Sequence, residues 1–304
     1  MKNNPRREFL LNTAKCAGAL AVLNTTFATN IFATTAKEAM PVPTVKLNNG
    51  VSMPIIGLGT YSINEVSTFL DAINVGYRLI DSAQLYGNEK VVGEAVKQSK
   101  VKREEFFITT KLSSNMDFKQ TQKSIDDTLK LMNLKYLDLL LIHQPFENRK
   151  QMYKAMEEAY KKGKIKAIGV SNFTPDIYSD FVKSCEIIPA VNQCETHIFY
   201  QQKKLREVMK DHGTMLQSWS PFVHGKKEFF ENKTMLAIAK KYNKTVAQVA
   251  LRFLTQENII VIPKAARLKY MKENLNIFDF ELSKADMKKI QDLDENKGQF
   301  SYSR

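Results

Sequence analysis

Between residues 54 and 264 short aliphatic runs alternate with amphipathic segments, and this alternation constrains the chain more than any other feature. Runs rich in Ile, Val, Leu and Phe at 54–60, 77–82, 106–111, 136–143, 166–171, 190–195, 214–220 and 259–264 read as strands. Segments such as NEKVVGEAVKQS and TQKSIDDTLKLM lie between them, apolar at three- and four-residue intervals, and read as helices. Strands that alternate with helices require a parallel sheet with right-handed crossovers. Eight such units close into a (β/α)8 TIM barrel more readily than they open into a doubly wound sheet. The open sheet would carry a Gly-x-Gly-x-x-Gly turn after its first strand, and only Gly57-Leu58-Gly59 is present. Ahead of that strand, VKLNNGVSMP spells an N-terminal β-hairpin, with Asn48-Asn49-Gly50 supplying the positive φ of a tight turn.

The first 39 residues have a different character. Lys2, Arg6 and Arg7 precede Phe9-Leu10-Leu11, an apolar stretch runs from Ala17 to Ala33, and small residues continue to Ala39. This is the pattern of a twin-arginine-type signal peptide, removed on export to the periplasm, although Pro5 stands where that pattern carries Ser or Thr. A cytoplasmic enzyme with a basic leader is the alternative. Residues 40–304 contain no linker or change of composition and read as one domain. No apolar run there approaches the roughly 18 residues a membrane span needs, so no membrane anchor is expected after processing.

The formal charge is +13, but the lysines are scattered along helical segments and form no basic arm. That argues against nucleic acid as a partner and for a solvated surface that draws in anionic ligands. Cys16, Cys185 and Cys194 lack metal-ligand spacing, and LDENKG lacks the regular oxygen spacing of a calcium loop. Free thiols and no metal are expected.

The active site of such a barrel lies at the C-terminal ends of its strands. Those ends carry Asp81 with Tyr86 five residues on, then Lys111, His143, Ser171-Asn172, Gln193, Trp219 and Lys264. Each polar residue alone has an ordinary structural explanation, but consecutive strands presenting them at one rim make a site. An ordinary phenol, with a pKa of about 10, gives up its proton reluctantly at neutral pH. A lysine ammonium alongside favours the phenolate, a carboxylate holds that lysine charged, and an imidazole can bond a carbonyl oxygen. Such a set suits donation of a proton to an oxygen whose carbon has just received a hydride. Tyr86…Lys90 and Tyr160…Lys164 also spell Tyr-x-x-x-Lys, but the glycine-rich turn that accompanies that pair in short-chain dehydrogenases is missing. Lys111 is the expected partner of Tyr86.

DSAQLYGNE, TTKL, LLLIHQP, GVSNF and VIPK…ENLNIFDFELS, in this order, resemble the aldo-keto reductase superfamily. The resemblance runs from near Thr44 to at least Ser283, and the chain is similar to bacterial reductases of dicarbonyls and keto-sugar acids. It implies a (β/α)8 barrel reducing aldehydes and ketones with NADPH, NADH being the other possible donor. By motif it assigns Asp81, Tyr86, Lys111 and His143 to the catalytic tetrad, with Tyr86 as proton donor.

It further assigns Ser171, Asn172 and Gln193 to the nicotinamide carboxamide. Trp219, followed by Ser220, replaces a stacking tyrosine. Lys264 is assigned to the adenosine 2′-phosphate, and Glu273 and Asn274 to the adenine. Tyr270 replaces a common arginine, for which Arg267 is the expected substitute. Tyr61, Ser113 and Gln144 stand where eukaryotic relatives carry tryptophans, implying a roomier and more polar substrate pocket. Phe300 and Tyr302 are candidate walls, and the segment 221–232 is short for a cofactor clamp. A monomer acting on a small carbonyl substrate is expected, with a nicotinamide-binding sensor or accessory subunit as the alternative.

Overall fold

A period of two along eight parallel strands positions Asp81, Lys111 and Gln193 at one mouth of this molecule. The computed structural model describes residues 42–300; the expected signal peptide and Tyr302 lie outside the described residues. β1 (Thr44–Lys46) and β2 (Ser52–Pro54) pair antiparallel around a turn in which Gly50 has φ 83°. The following strands are β3 (Gly57–Gly59), β4 (Leu79–Asp81), β5 (Phe107–Leu112) and β6 (Leu139–Ile142). They continue with β7 (Ile168–Ser171), β8 (Val191–Glu195), β9 (Met215–Trp219) and β10 (Ile260–Val261).

Each of these strands pairs in parallel with the next in chain order. Bridges from Ile56 to Val261 and from Gly59 to Lys264 bring the last strand back to the first. The result is the expected (β/α)8 barrel with its N-terminal hairpin. Most ladders are shorter than the sequence runs. The run 136–143, for example, contributes only Leu139–Ile142, because tilted barrel strands overlap both neighbours only in their middle.

Helices α1 (Val66–Asn74), α2 (Glu89–Gln98), α3 (Phe118–Met132), α4 (Arg149–Lys161), α5 (Pro175–Val182) and α6 (Lys203–Lys210) surround the strands. α7 (Lys227–Phe230), α8 (Lys233–Tyr242), α9 (Val246–Gln256), α10 (Leu268–Leu275) and α11 (Lys284–Gln291) complete the set. Their ends are written locally. Asp117 and Gln120 form a reciprocal capping box at the start of α3, and Thr245 and Gln248 form one at the start of α9, each cap worth about 1 kcal/mol. Among the described residues no helix is long and apolar enough to cross a membrane.

Two apolar clusters follow from the strand alternation. Ile80, Ile108, Leu140, Ile142, Ile168 and Val170 belong to the larger one, with residues of the helices. Leu79, Phe107, Leu139, Leu141, Val191 and Ile260 form the other, together with Leu47 and Met53 of the hairpin. The hairpin sits at the N-terminal mouth: Asn48 Nδ2 donates to Pro189 O at 3.2 Å and Asn49 Nδ2 to Lys166 O at 2.9 Å, just ahead of β8 and β7. On the same strand faces, Asp81, His143 and Gln193 lie two residues beyond Leu79, Leu141 and Val191, and Lys111 lies four beyond Phe107. One mouth is therefore plugged with apolar side chains and the other is lined with polar ones.

Candidate active site

The centre of the polar mouth is a fully buried ion pair. Lys111, in β5, donates from Nζ to Asp81 Oδ1 at 2.5 Å and to Ser82 O at 2.7 Å, and neither side chain of the pair is more than 1% exposed. Asp81 Oδ2 accepts from Gln193 Nε2 at 2.8 Å, and the same amide reaches Gln217 Oε1 at 2.9 Å. Burial pulls the Lys111 pKa down, but the Asp81 carboxylate and then Tyr86 outweigh it, and the net direction is up. The ammonium is thereby held charged although it is fully buried. A second buried carboxyl, Glu89 at the start of α2, accepts from Thr110 Oγ1 at 2.5 Å. Burial pushes Glu89 up, while Thr110 and the Lys111 charge pull against it.

Tyr86 ends a single helical turn, Gln84–Tyr86, between β4 and α2. Gly87 closes that turn at φ 68°, where a side chain would be strained. The buried Asn88 fastens it: Nδ2 donates to Thr60 O at 2.8 Å and Ile63 O at 2.9 Å, while Oδ1 accepts from Ser82 Oγ at 2.6 Å. The Tyr86 ring centroid lies 5.0 Å from Lys111 Nζ, 5.9 Å from the His143 ring and 5.3 Å from the Tyr61 ring. His143 stands one residue past β6, where its N–H still bonds Leu112 O at 3.0 Å. Its Nδ1 lies 2.9 Å from Ser113 Oγ. Burial first, and then the Lys111 charge, lower the His143 pKa to about 3, so the ring is neutral at ordinary pH. Asp81, Tyr86, Lys111 and His143 thus form one cluster.

A polar arc continues from it. Ser171 Oγ donates to Gln193 O at 2.8 Å. Asn172, with φ 63°, donates to His143 O at 3.1 Å and accepts from Trp219 Nε1 at 2.8 Å. Ser220, at φ 55°, accepts from His224 N at 3.0 Å. Lys264 and Arg267 are exposed beyond β10, and Tyr270 is exposed beside them. Glu273 is half-buried and accepts from Thr245 Oγ1 at 2.7 Å. Asn274, in α10, is only 3% exposed.

On the other side, Tyr61 is 60% exposed, and Ser113 and Gln144 are half-buried. Phe300 packs on His224 with ring centroids 4.1 Å apart and on Trp219 at 5.6 Å. The 221–232 segment folds into a turn and α7, with Phe229 buried.

Several neighbours escaped the sequence reading. Leu85, 70% exposed beside Tyr86, and Glu89, inside DSAQLYGNE, were within reach of it. Gln217 lies two residues before Trp219 on the inward period and could have been found by extending that period. Glu195 accepts from Gln299 N at 2.6 Å and His224 packs on Phe300, contacts with the distant chain end that no local pattern announces.

Taken together, Ser171, Asn172 and Gln193 offer donors and acceptors suited to a carboxamide. The half-buried Trp219 offers a ring face, and Lys264 and Arg267 offer charge to a phosphate. The residues present fit a nicotinamide dinucleotide.

A profile of the Aldo/keto reductase family matches residues 56–295. The chain is 44% identical over 259 residues to glyoxal reductase of Bacillus subtilis, covering 83% of this chain and 93% of that protein. Among solved structures it resembles an aldo-keto reductase from a Medee basin deep-sea metagenome library, at TM-score 0.82 and 40% identity, covering 84% of this chain and 97% of that one. It also resembles the Bombyx mori aldo-keto reductase in complex with NADP, at TM-score 0.79 and 30% identity, covering 86% of this chain and 95% of that one.

The His143 assignment has a pH consequence. Between 6.5 and about 3 the unfolded chain takes up a proton that the folded chain refuses, so this residue makes stability fall as pH drops through that window. The His143 ring resonances are expected to stay at their neutral positions down to about pH 5, as followed by NMR. A midpoint near the ordinary histidine value would contradict the buried, cation-facing environment.

Proposed function

The chain belongs to the Aldo/keto reductase family, and from that premise we propose that it reduces small dicarbonyls or keto-sugar acids to alcohols, with Tyr86 as proton donor and NADPH as cofactor. It is an NAD(P)H-dependent oxidoreductase. The observation that carries the reading is Tyr86 beside a fully buried ammonium, its ring centroid 5.0 Å from Lys111 Nζ. NADPH, when bound, supplies a hydride to the substrate carbonyl carbon.

This chain's own residues manage the oxygen. His143, neutral, donates a hydrogen bond to it and fixes its direction. Tyr86 gives its proton to the same oxygen, and the Lys111 ammonium, kept charged by Asp81, faces the negative charge left on the phenolic oxygen. Ser171, Asn172 and Gln193 hold the carboxamide, and Trp219 lies against the ring. Ser220, Lys264 and Arg267 take the phosphates, with Glu273 and Asn274 assigned to the adenine. The two exposed cations favour NADPH over NADH. Small polar substrates are favoured because Tyr61, Ser113 and Gln144 leave the mouth polar, with Phe300 as one wall; the relative named glyoxal reductase points the same way.

Residues 1–39 act, in this reading, as a twin-arginine-type signal, and residues 40–304 as a monomeric enzyme domain. Twin-arginine export moves folded proteins, which suits a barrel that takes up its cofactor before crossing. Outside the cytoplasm each bound NADPH serves one turnover unless a second enzyme reduces it again.

Tyr86→Phe is expected to lower reduction of methylglyoxal at least about 100-fold, leaving NADPH affinity, measured by fluorescence quenching, nearly unchanged. Equal loss of both would make Tyr86 a structural or cofactor-contacting residue. Cell fractionation with sequencing of the mature N-terminus is expected to find a periplasmic protein starting near residue 40. An intact Met1 in the cytoplasm would overturn the export assignment.

A further inference from the structure

Ser113 touches the candidate site at an unexpected point. It follows β5 directly, and its hydroxyl is the group at 2.9 Å from His143 Nδ1. The Leu85 amide donates to the same oxygen at 3.1 Å, which uses one of its lone pairs. Its backbone is held as well, since Ser113 N donates to Gln84 Oε1 at 3.1 Å. The hydroxyl has a single proton: it goes to His143 Nδ1, 2.9 Å away, when the ring proton is on Nε2, and to Lys111 O, 3.2 Å away, when the ring proton is on Nδ1.

We propose that Ser113 is a positioning residue that fixes the tautomer of His143: its hydroxyl donates to Nδ1 and so leaves the ring proton on Nε2, the nitrogen offered to the substrate oxygen. The inference rests on the reading of His143 as the group that meets the carbonyl. A neutral imidazole has one N–H, and which nitrogen carries it is set by the bond the other makes. With the Lys111 charge close by, the ring does not take a second proton, so the choice between nitrogens is all or nothing. If Nδ1 carried the proton, Nε2 would present a lone pair to a carbonyl lone pair, and orientation of the substrate would be lost. Ser113 acts only through His143. The polar residue expected to widen the pocket therefore has a second, directional role.

The tautomer is read directly by long-range 1H–15N NMR of the full chain, without turnover. In the wild type the expected pattern is an unprotonated Nδ1 and a protonated Nε2. Ser113→Ala is expected to give a mixture of both tautomers and a roughly 10-fold lower kcat for methylglyoxal, the worth of about one neutral hydrogen bond. NADPH affinity is expected to stay unchanged. Ser113→Thr, which keeps the hydroxyl, is expected to restore both the Nε2–H pattern and the turnover. A wild-type Nδ1–H pattern overturns the inference even if the enzyme is active, as does an unaltered tautomer in Ser113→Ala. Absence of carbonyl reduction in the wild type would instead strike the functional reading and leave the tautomer result standing.

Discussion

The buried charge of Lys111 is the constraint on which the rest of the site depends. An unpaired ammonium cannot persist in a dry barrel interior, and removing one partner of such a buried pair costs about 3–5 kcal/mol. Asp81 answers it at 2.5 Å, Ser82 O at 2.7 Å, and Gln193 holds the second carboxylate oxygen. These groups come from β4, the turn after it, β5 and β8. The ion pair therefore ties non-neighbouring strands together at the mouth, opposite the end that the hairpin fills with Leu47 and Met53.

From that one charge two opposite effects follow. Toward Asp81 it forms a pair; toward His143 it acts as a like charge and, together with burial, keeps the imidazole neutral. A neutral ring can direct a hydrogen bond without competing with the phenol for the role of acid. Tyr86 lies between the two, with its loop fixed by the fully buried Asn88. The division of labour is thus electrostatic before it is chemical: a fixed cation, a neutral director, and a proton donor reaching both.

The fold was legible because a period of two survives in the strands and a three-to-four period in the helices, and because Asn48-Asn49-Gly50 names its own turn. The strand ends were less so: Leu139–Ile142 is shorter than its aliphatic run, since partner overlap and not residue type decides where a ladder stops. Asp81, Lys111 and His143 could be placed at one rim from strand parity alone. Parity said nothing about what they bond. The pairing of Gln193 with Asp81 and Gln217, the Ser113–His143 contact and the hold of Glu195 on Gln299 all join residues from different units.

The central claim is that Lys111 stays an ammonium inside the barrel, and the 15N and 1H resonances of its Nζ test it most directly. Followed in the full chain from about pH 6 to about pH 10, the Nζ signal is expected to remain that of a charged, slowly exchanging ammonium throughout. A neutral amine at pH 7 would contradict the account, because no fixed cation would then face either Tyr86 or His143.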